Sequence, residues 1–365
     1  MTWLTIERSP NGERAPHVAR IAAIGRRLPE TTLTTDALMA STRHRTKIDL
    51  ERLTGIYERR VSVGDEDSFS LATGAALDCM ARTQHGPEDI DVVVSCSITK
   101  YRDGLAQHVE PPMSVAVAHA IGAVNAMTFD VSNACAGTLT GVFIVNDWIR
   151  QGAIRRALVV SGEYISQLGQ NAAQHVRNIL SRELASLTLG DAGAAVLVER
   201  APDGAPGISV AGFTTIADHS RLCLAYPAKH DPGARMFTKS QTLQKAAIAD
   251  IPFLLNEVLV AAGIDIGDVD HVIPHQTSAR AIRKGMKVVD EALGGHPRNP
   301  AVITVDRYGN TASTTHVVAL VEELQAGRIA PGDRIALLAL ASGIEIGVVL
   351  FTADEELVRS HGNDH

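Results

Sequence analysis

Apolar residues follow helical and extended spacings in alternation along most of this chain. The run "TLTGVFIVNDWI" (138–149) has apolar residues three and four positions apart, which predicts a helix, and "AMTF" (126–129) before it reads as the end of a strand. Two long stretches, 70–163 and 245–345, share one order of segments: a helix, a short acidic turn, a buried strand, a connection, a second strand, a helix and a further strand. Such a repeat indicates that one structural unit occurs twice.

The repeat divides the chain into two halves. We place the first half at 17–200 and the second at 201–352, with the Pro- and Gly-rich segment 199–212 as the crossover between them. The polar tail 353–365 is expected to fray. Alternating strands and helices predict a mostly parallel sheet in each half, covered by helices on both faces, and two such halves would pack around a pseudo-twofold axis.

Matching positions of the two halves should meet near this axis, because corresponding strand ends come together there. Cys135 and Asn310 each stand at a predicted helix start and each precede a glycine by 17 positions (152 − 135 and 327 − 310), so we treat them as equivalent. Cys96 and His275 each end a buried strand and form a second equivalent pair. Side chains that are far apart in the sequence could therefore share one pocket.

Bulk composition argues against several classes of protein. The 365 residues are 45% hydrophobic, enough for a large core, and the formal charge of −7 gives the chain as a whole no attraction to nucleic acid or to an anionic membrane. Apolar runs stay short of about 18 residues, so no transmembrane helix is expected, and the polar N-terminus does not resemble a secretory signal. The four cysteines (79, 96, 135 and 223) form no CxxC pair, which favours a reducing cytoplasm over a disulfide framework or a zinc site.

Cys135 in "DVSNACAGT" (130–138) is a candidate nucleophile. A thiol attacks as its thiolate, and a helix start offers positive charge and unpaired N–H groups that lower the pKa of a thiol. The alternative is a buried cysteine that packs as a small apolar residue. His275 in "VIPHQTS" and Asn310 in "DRYGNTAS" could donate hydrogen bonds to a thioester oxygen as it becomes an enolate. Each could instead be structural, the histidine bonded to a backbone carbonyl and the asparagine capping a helix, and His316 is expected to be structural.

Three separated motifs, "NACAGT", "VIPHQTSARAI" and "RYGNTASTTHVVAL", resemble the Cys, His and Asn motifs of 3-oxoacyl-ACP synthase III, within the thiolase superfamily. The resemblance runs from "LTGIYERR" to "GIEIGVVLF" and so covers most of the chain. It implies an α/β protein with the thiolase-like five-layered αβαβα fold, a homodimer, and no metal or organic cofactor.

The resemblance also implies roles for individual residues. Cys135 would take an acyl group from a thioester, and His275 and Asn310 would stabilise the enolate of a second thioester. The backbone N–H of Cys135, together with that of Ser342 or Gly343, would hold the first oxyanion.

Arg280 and Glu110 match two further positions of such enzymes. Arg280 corresponds to a residue that contacts the phosphate-bearing arm of coenzyme A, although a solvated helix arginine explains it equally well. The segment 101–122 resembles the "EP" segment of relatives that join two elaborated acyl chains in olefin and pyrone-type biosynthesis, where a glutamate crosses the dimer interface and acts as base. Glu110 is the matching residue, and a solvated loop glutamate is the alternative.

Several positions depart from the family pattern. The C-terminal turn reads "ASGIEIG", Asp49 and Leu53 stand where an aromatic residue and an arginine usually clamp adenine, and Ser278 replaces an asparagine. These differences point away from acetyl-CoA as the donor and toward a specialised role rather than housekeeping fatty-acid initiation.

We therefore expect a cytoplasmic condensing enzyme that joins a Cys135-bound acyl group to a second acyl or malonyl thioester, delivered by acyl-CoA or by an acyl carrier protein. The carbon nucleophile could arise by loss of CO₂ or by deprotonation at Glu110. One alternative is an acyltransferase that moves the acyl group to an alcohol or amine, but such relatives replace the asparagine that Asn310 retains. A non-catalytic partner subunit is another, and such subunits typically lose the nucleophile.

Overall fold

The computed structural model describes residues 2–6 and 15–362 of the chain. Its strands are β1 (Thr2–Ile6), β2 (Ala19–Arg27), β3 (Thr32–Thr34), β4 (Glu58–Arg60), β5 (Val92–Ser95), β6 (Tyr101–Arg102), β7 (Ala106–Gln107), β8 (Met127–Asp130), β9 (Arg156–Glu163), β10 (Ala192–Arg200), β11 (Ile208–Thr215), β12 (Cys223–Pro227), β13 (Ala234–Thr238), β14 (His271–Pro274), β15 (Arg334–Ala341) and β16 (Glu345–Thr352). Its α-helices are α1 (Thr35–Ala40), α2 (Leu50–Thr54), α3 (Ser68–Met80), α4 (Met113–Ile121), α5 (Gly137–Arg150), α6 (Ser166–His175), α7 (Ser240–Ala262), α8 (Ala279–Leu293), α9 (Val305–Tyr308), α10 (Thr315–Gln325) and α11 (Glu355–Arg359). Short 3₁₀ turns occur at Pro87–Asp89, Ala134–Ala136, Leu184–Thr188, Ala217–His219, Ile266–Asp268 and Ala312–Thr314.

Two five-stranded sheets carry the two halves. Their orders are β2-β10-β9-β5-β8 and β1-β11-β16-β15-β14, so four strands of one sheet correspond in sequence to four of the other. The expectation of mostly parallel sheets is wrong, because β10 is antiparallel to both of its neighbours and so is β16. Only β9, β5 and β8 in one sheet and β15 and β14 in the other pair in parallel. The reason is plain at β15 and β16, which are joined by residues 342–344, since a parallel pair needs a crossover of about a dozen residues or more.

Helices complete five layers, as expected. Apolar side chains of α5 and α10, such as Leu139 and Leu320, pack between the two sheets against Val159 and Leu337. On the outer face of the first sheet, α3 and α4 bury their apolar sides, and α7 and α8 do so on the outer face of the second. Each sheet is therefore apolar on both faces, and the central layer holds the helices that begin at the candidate site.

Two glycines let α3 lie directly on the first sheet. A Cβ atom added at Gly162 in β9 would come within 1.9 Å of the Ser68 carbonyl oxygen, and one at Gly193 in β10 within 2.0 Å of the Leu71 carbonyl oxygen. No side chain fits at such distances without moving the helix backbone, so both positions require glycine.

The crossover between the halves and the polar tail are both well defined. Residues 201–207 link β10 to β11, inside the predicted crossover, and β1 adds to the second sheet by pairing with β11. The expectation of a frayed tail is wrong as far as the structure describes it, because the tail forms α11. Asp354 and Glu356 accept hydrogen bonds from the Arg20 guanidinium at 2.6 and 2.5 Å, and Leu357 is completely buried. Residues 363–365 of the predicted tail lie outside the described residues.

Candidate active site

Two short 3₁₀ turns, one from each half, lie against one another where the halves meet. Cys135 is in the turn Ala134–Ala136, which leads into α5, and Ser313 is in the turn Ala312–Thr314, which leads into α10. Each turn begins with an alanine in the left-handed region, at φ 44° for Ala134 and 54° for Ala312. The same conformation at matching places shows that the two helix starts are copies of one local structure.

This match corrects one equivalence and supports another. The residue equivalent to Cys135 is Ser313, not Asn310. Asn310 precedes Ser313 by three residues, and α10 is three residues shorter than α5, with 11 residues against 14. These two differences cancel, so the equal spacings from Cys135 and Asn310 to a glycine are a coincidence. Cys96 and His275 are equivalent, since each follows a parallel strand and donates its N–H at 2.8 Å to a carbonyl of the neighbouring strand, Val160 and Leu338 respectively.

Cys135 is half-buried, and its side chain packs against an apolar wall. The wall is formed by residues at α6, at β13, at the segment before β10 and at the turn after Asn310. Its members are Ile165, Leu168, Leu189, Ala234, Met236 and Ala312. Burial is the largest effect on this thiol and raises its pKa, Cys223 and Glu163 act in the same direction, and a backbone N–H opposes them. The expectation that the helix start lowers the pKa is therefore wrong in its net direction. Cys135 is a thiol at rest and needs a proton acceptor in order to react.

His275 is a buried, neutral imidazole just beyond the end of β14. Burial first and the nearby His316 second lower its pKa from 6.5 to about 3, because a charged ring would lose its hydration there. Its Nδ1 atom has no hydrogen-bond partner within the described parts of the chain. At neutral pH such a ring donates a hydrogen bond from one nitrogen and accepts one at the other.

The neighbours of His275 hold it in place. The buried side chain of Gln276 donates to the carbonyls of Pro274 and Val302 at 2.8 and 3.0 Å and accepts from the Thr304 N–H at 2.8 Å. The Gln276 N–H donates to Thr315 Oγ1 at the start of α10, at 3.3 Å. The end of β14 is thereby joined to α10, the helix that follows Asn310 and the turn Ala312–Thr314.

His316 lies closer to the candidate catalytic residue His275 than the sequence indicates. Its ring centroid is 6.0 Å from that of His275, and its Nε2 donates to the Leu338 carbonyl at 3.0 Å, as a structural histidine would. Burial lowers its pKa from 6.5 to about 4. Two adjacent imidazoles that both resist protonation keep this part of the site uncharged. Nothing in the local pattern around residue 316 marks the contact, since it depends on how α10 packs against β14.

Asn310 has one end of its amide engaged and the other available. Its Oδ1 accepts from the Ala312 N–H at 3.0 Å, so Nδ2 is the group left to donate to a ligand. Its backbone donates to the Thr188 carbonyl at 2.8 Å and accepts from the Gly190 N–H at 3.1 Å. Asn310 is thus anchored to a segment of the first half, next to the Cys135 wall.

Cys135, His275 and Asn310 therefore lie near the place where the two halves meet. The other candidates are on a turn, a loop and a helix. Ser342 is half-exposed in the turn between β15 and β16, two strands that the Cys135 turn contacts. Glu110 is exposed on the loop between β7 and α4, and Arg280 is exposed at the first turn of α8.

Comparison with known proteins gives one consistent family. The model of 3-oxoacyl-[acyl-carrier-protein] synthase III matches residues 129–218, and the model of its C-terminal part matches residues 259–353. The beta-ketoacyl-[acyl-carrier-protein] synthase III of Symbiobacterium thermophilum is 30% identical over 352 residues, 90% of this chain and 96% of the relative. That of Deinococcus deserti is 30% identical over 303 residues, 81% of this chain and 80% of the relative.

Solved structures agree with these sequence matches. The 3-oxoacyl-[acyl-carrier-protein] synthase III of Aquifex aeolicus superposes with a TM-score of 0.78 at 25% identity and covers 92% of this chain and 100% of its own. A histidine-to-alanine variant of OleA from Xanthomonas campestris superposes with a TM-score of 0.77 at 26% identity, covering 92% and 98%. The paired motifs, the five layers and both kinds of comparison lead to one conclusion: this chain belongs to the 3-oxoacyl-ACP synthase III family of the thiolase superfamily.

Proposed function

We propose that this protein is an acyl-thioester condensing enzyme in which Cys135 carries the first acyl group. The observation that carries the proposal is that the Cys135 turn lies against the turn Ala312–Thr314, which begins two residues after Asn310. The end of the His275 strand is in turn hydrogen-bonded to the start of α10, which follows that turn. In the first step the thiol attacks a thioester carbonyl, a new C–S bond to Cys135 forms, and the bond to the carrier breaks. The thiol proton moves to the departing carrier sulfur in concert with these bond changes, with neutral His275 hydrogen-bonded along the path and never left protonated, and the carrier leaves as a thiol.

In the second step His275 and Asn310 Nδ2 donate hydrogen bonds to the oxygen of a second thioester as it becomes an enolate. Its α-carbon attacks the Cys135-bound carbonyl, a C–C bond forms, and the C–S bond to Cys135 breaks. The sulfur leaves as a thiolate and regains the resting thiol form with the proton removed from the α-carbon. We assign the backbone N–H groups of Cys135 and Ser342 to the first oxyanion. All of this stabilisation comes from protein groups, so the proposal includes no metal or organic cofactor.

A homodimer formed at the outer edge of β8 is part of the proposal. Met127 on this edge strand is exposed, and Val124 and Val109 are 70% and 78% exposed. Exposed apolar residues beside an unpaired strand edge are typical of a surface that a partner subunit covers. Asp130 at the end of β8 binds residues on both sides of the segment 101–113 that carries Glu110, accepting from Lys100 Nζ at 2.6 Å and from the Ser114 N–H at 3.0 Å.

A second chain packed on β8 would lie directly against this loop, and we propose that the partner subunit's Glu110 deprotonates the α-carbon. The similarity to OleA favours this route, and a specialised lipid product, over loss of CO₂.

The carrier is proposed to approach along α8. Arg280, Arg283, Lys284 and Lys287 are all exposed, at the spacing of one helix face. Such a face attracts the phosphates of acyl-CoA or an acidic acyl carrier protein, the carrier that the names of the relatives contain. The described helices include none long and apolar enough to cross a membrane. All four cysteines are free, in keeping with a proposed cytoplasmic location.

Intact-protein mass spectrometry after incubation with acyl-CoA and acyl-ACP donors tests the nucleophile. We expect an acyl adduct on the wild type, none on Cys135→Ala, and the full adduct on Cys223→Ala, a matched control at another half-exposed cysteine. An adduct on Cys135→Ala equal to that of the wild type would refute the assignment. Transfer of the acyl group to added alcohols or amines, without a new C–C bond, would show that the protein is an acyltransferase of that kind and not a condensing enzyme.

The route is tested with pairs of acyl thioesters and with carboxyl-labelled malonyl thioester. We expect the wild type to form a condensation product from two acyl thioesters and Glu110→Gln to form none. Labelled CO₂ released in step with product, together with an active Glu110→Gln enzyme, would assign the decarboxylative route instead.

A further inference from the structure

Glu163 is a buried carboxyl group that the proposed chemistry does not use. It ends β9 with no exposed surface, and its oxygens accept five hydrogen bonds. Four come from the first half: the Ile98 N–H at 2.9 Å, the Thr99 N–H at 3.1 Å, Thr99 Oγ1 at 3.0 Å and Ser161 Oγ at 3.3 Å. The fifth donor is Ser313 Oγ. A buried carboxyl that satisfies donors from several segments fixes those segments relative to one another.

Ser313 is the donor that crosses between the halves. Its hydroxyl is buried, donates to Glu163, and lies 2.6 Å from Ser161 Oγ on the same strand of the first half. Ser313 occupies, in the second half, the position that Cys135 occupies in the first. The duplicated turn therefore carries a nucleophile in one copy and a structural hydroxyl in the other.

The same turn controls the amide of Asn310. Oδ1 of Asn310 accepts from the Ala312 N–H, and Ala312 has the left-handed conformation that directly precedes Ser313. A rotation of this turn would move the Ala312 N–H and, with it, the direction in which Asn310 Nδ2 donates.

We propose that the Ser313–Glu163 hydrogen bond is a positioning device that sets the direction of the Asn310 amide relative to Cys135. The inference rests on the proposed function and assigns Ser313 and Glu163 as positioning residues that touch neither substrate nor reacting atoms. Acylation of Cys135 depends on the first turn, whereas enolate formation depends on Asn310. Loss of the link therefore slows the second half-reaction selectively, and misplacement of a donor by about 1 Å costs on the order of 100-fold in rate.

Ser313→Ala is the test variant, and Thr314→Ala is its matched control. Thr314 is the next residue of the same turn and equally buried, but its hydroxyl donates at 2.8 Å to the Thr311 carbonyl within the turn. Both variants remove one buried hydroxyl, and Thr314→Ala removes a methyl group as well, so the control is the larger deletion although only Ser313→Ala cuts the link between the halves. Ser313→Thr restores a hydroxyl at the position.

The two half-reactions are measured separately, acylation by intact mass and C–C bond formation from enzyme acylated in advance. We expect Ser313→Ala to acylate within about twofold of the wild type and to condense about 10- to 100-fold more slowly, with Thr314→Ala near wild type in both and Ser313→Thr partly recovered. Equal losses in Ser313→Ala and Thr314→Ala, no loss in Ser313→Ala, or equal loss of both half-reactions would overturn the inference. A wild-type enzyme that acylates but never forms a C–C bond would instead overturn the proposed function.

Discussion

The buried histidine pair makes the protein sensitive to acid in a way that can be calculated. In the folded chain burial holds the pKa of His275 at about 3 and that of His316 at about 4, against 6.5 for an exposed ring. At pH 5 both rings stay neutral when folded but take up a proton when the chain unfolds. Protonation therefore favours the unfolded state, and stability is lost as the pH falls below 6.5 toward the folded values.

The magnitude follows from the difference between the assay pH and 6.5. Each ring removes 2.303RT × (6.5 − 5), about 2 kcal/mol, from the free energy of unfolding at pH 5 relative to pH 7.5. The substitution His316→Gln removes one titrating ring and keeps an amide that can donate to the Leu338 carbonyl. The variant should lose about 2 kcal/mol less than the wild type between the two pH values.

Urea unfolding at pH 7.5 and pH 5, followed by tryptophan fluorescence at one protein concentration, measures this difference. Carboxylates and the histidines distant from His316 contribute equally to both proteins and cancel. The neighbouring His275 also cancels, because burial is the larger cause of its low pKa and keeps it neutral at pH 5 in both folded proteins. His119→Gln is the control, because His119 is exposed and hydrated in the folded chain, and it should behave as the wild type. If His316→Gln lost as much stability as the wild type, the ring at position 316 would be protonated in the folded chain, and the conclusion that both buried histidines are neutral would be refuted.

Three further predictions concern the site and its frame. Asn310→Ala should slow C–C bond formation by ~10²–10³-fold while Cys135 still acylates, and equal loss of both half-reactions would contradict the assignment of the amide to the enolate. Iodoacetamide should alkylate Cys135 slowly at pH 7 and faster with each unit of pH up to 9, because burial raises the pKa of the thiol; a rate that levels off below pH 8 would show a thiolate instead. Gly193→Ala should lower the free energy of unfolding by ~1–3 kcal/mol in urea titrations, since its Cβ would meet the Leu71 carbonyl oxygen, and unchanged stability would mean that α3 can shift.

Much of the local structure follows from pattern alone. The helix predicted at 138–149 forms as Gly137–Arg150, and the strand predicted to end near 129 ends at Asp130. The equivalence of Cys96 with His275 was also predictable, because each follows a short apolar run after an acidic turn. Periodicity and turn chemistry act over a few residues, so the chain reveals them without its partners.

Strand direction and register needed the whole fold. A run of apolar residues looks the same whether its neighbour is parallel or antiparallel. β16 is antiparallel to β15 because only residues 342–344 join them, whereas residues 164–191 between β9 and β10 are long enough for either direction. The length of α10 is a similar case, since its three missing residues made Asn310 look equivalent to Cys135 when Ser313 holds that place.

By itself, the sequence determined the duplicated unit, the layered fold, the family and the candidacy of Cys135, His275 and Asn310, because motifs and periodicities are properties of neighbouring residues. Tertiary structure alone decided that the Cys135 thiol is protonated, that His316 lies beside His275, and that Glu163 binds a hydroxyl from the other half. Burial and contacts across the two halves depend on distances between segments far apart in the chain, and those distances exist only once both sheets have packed around α5 and α10.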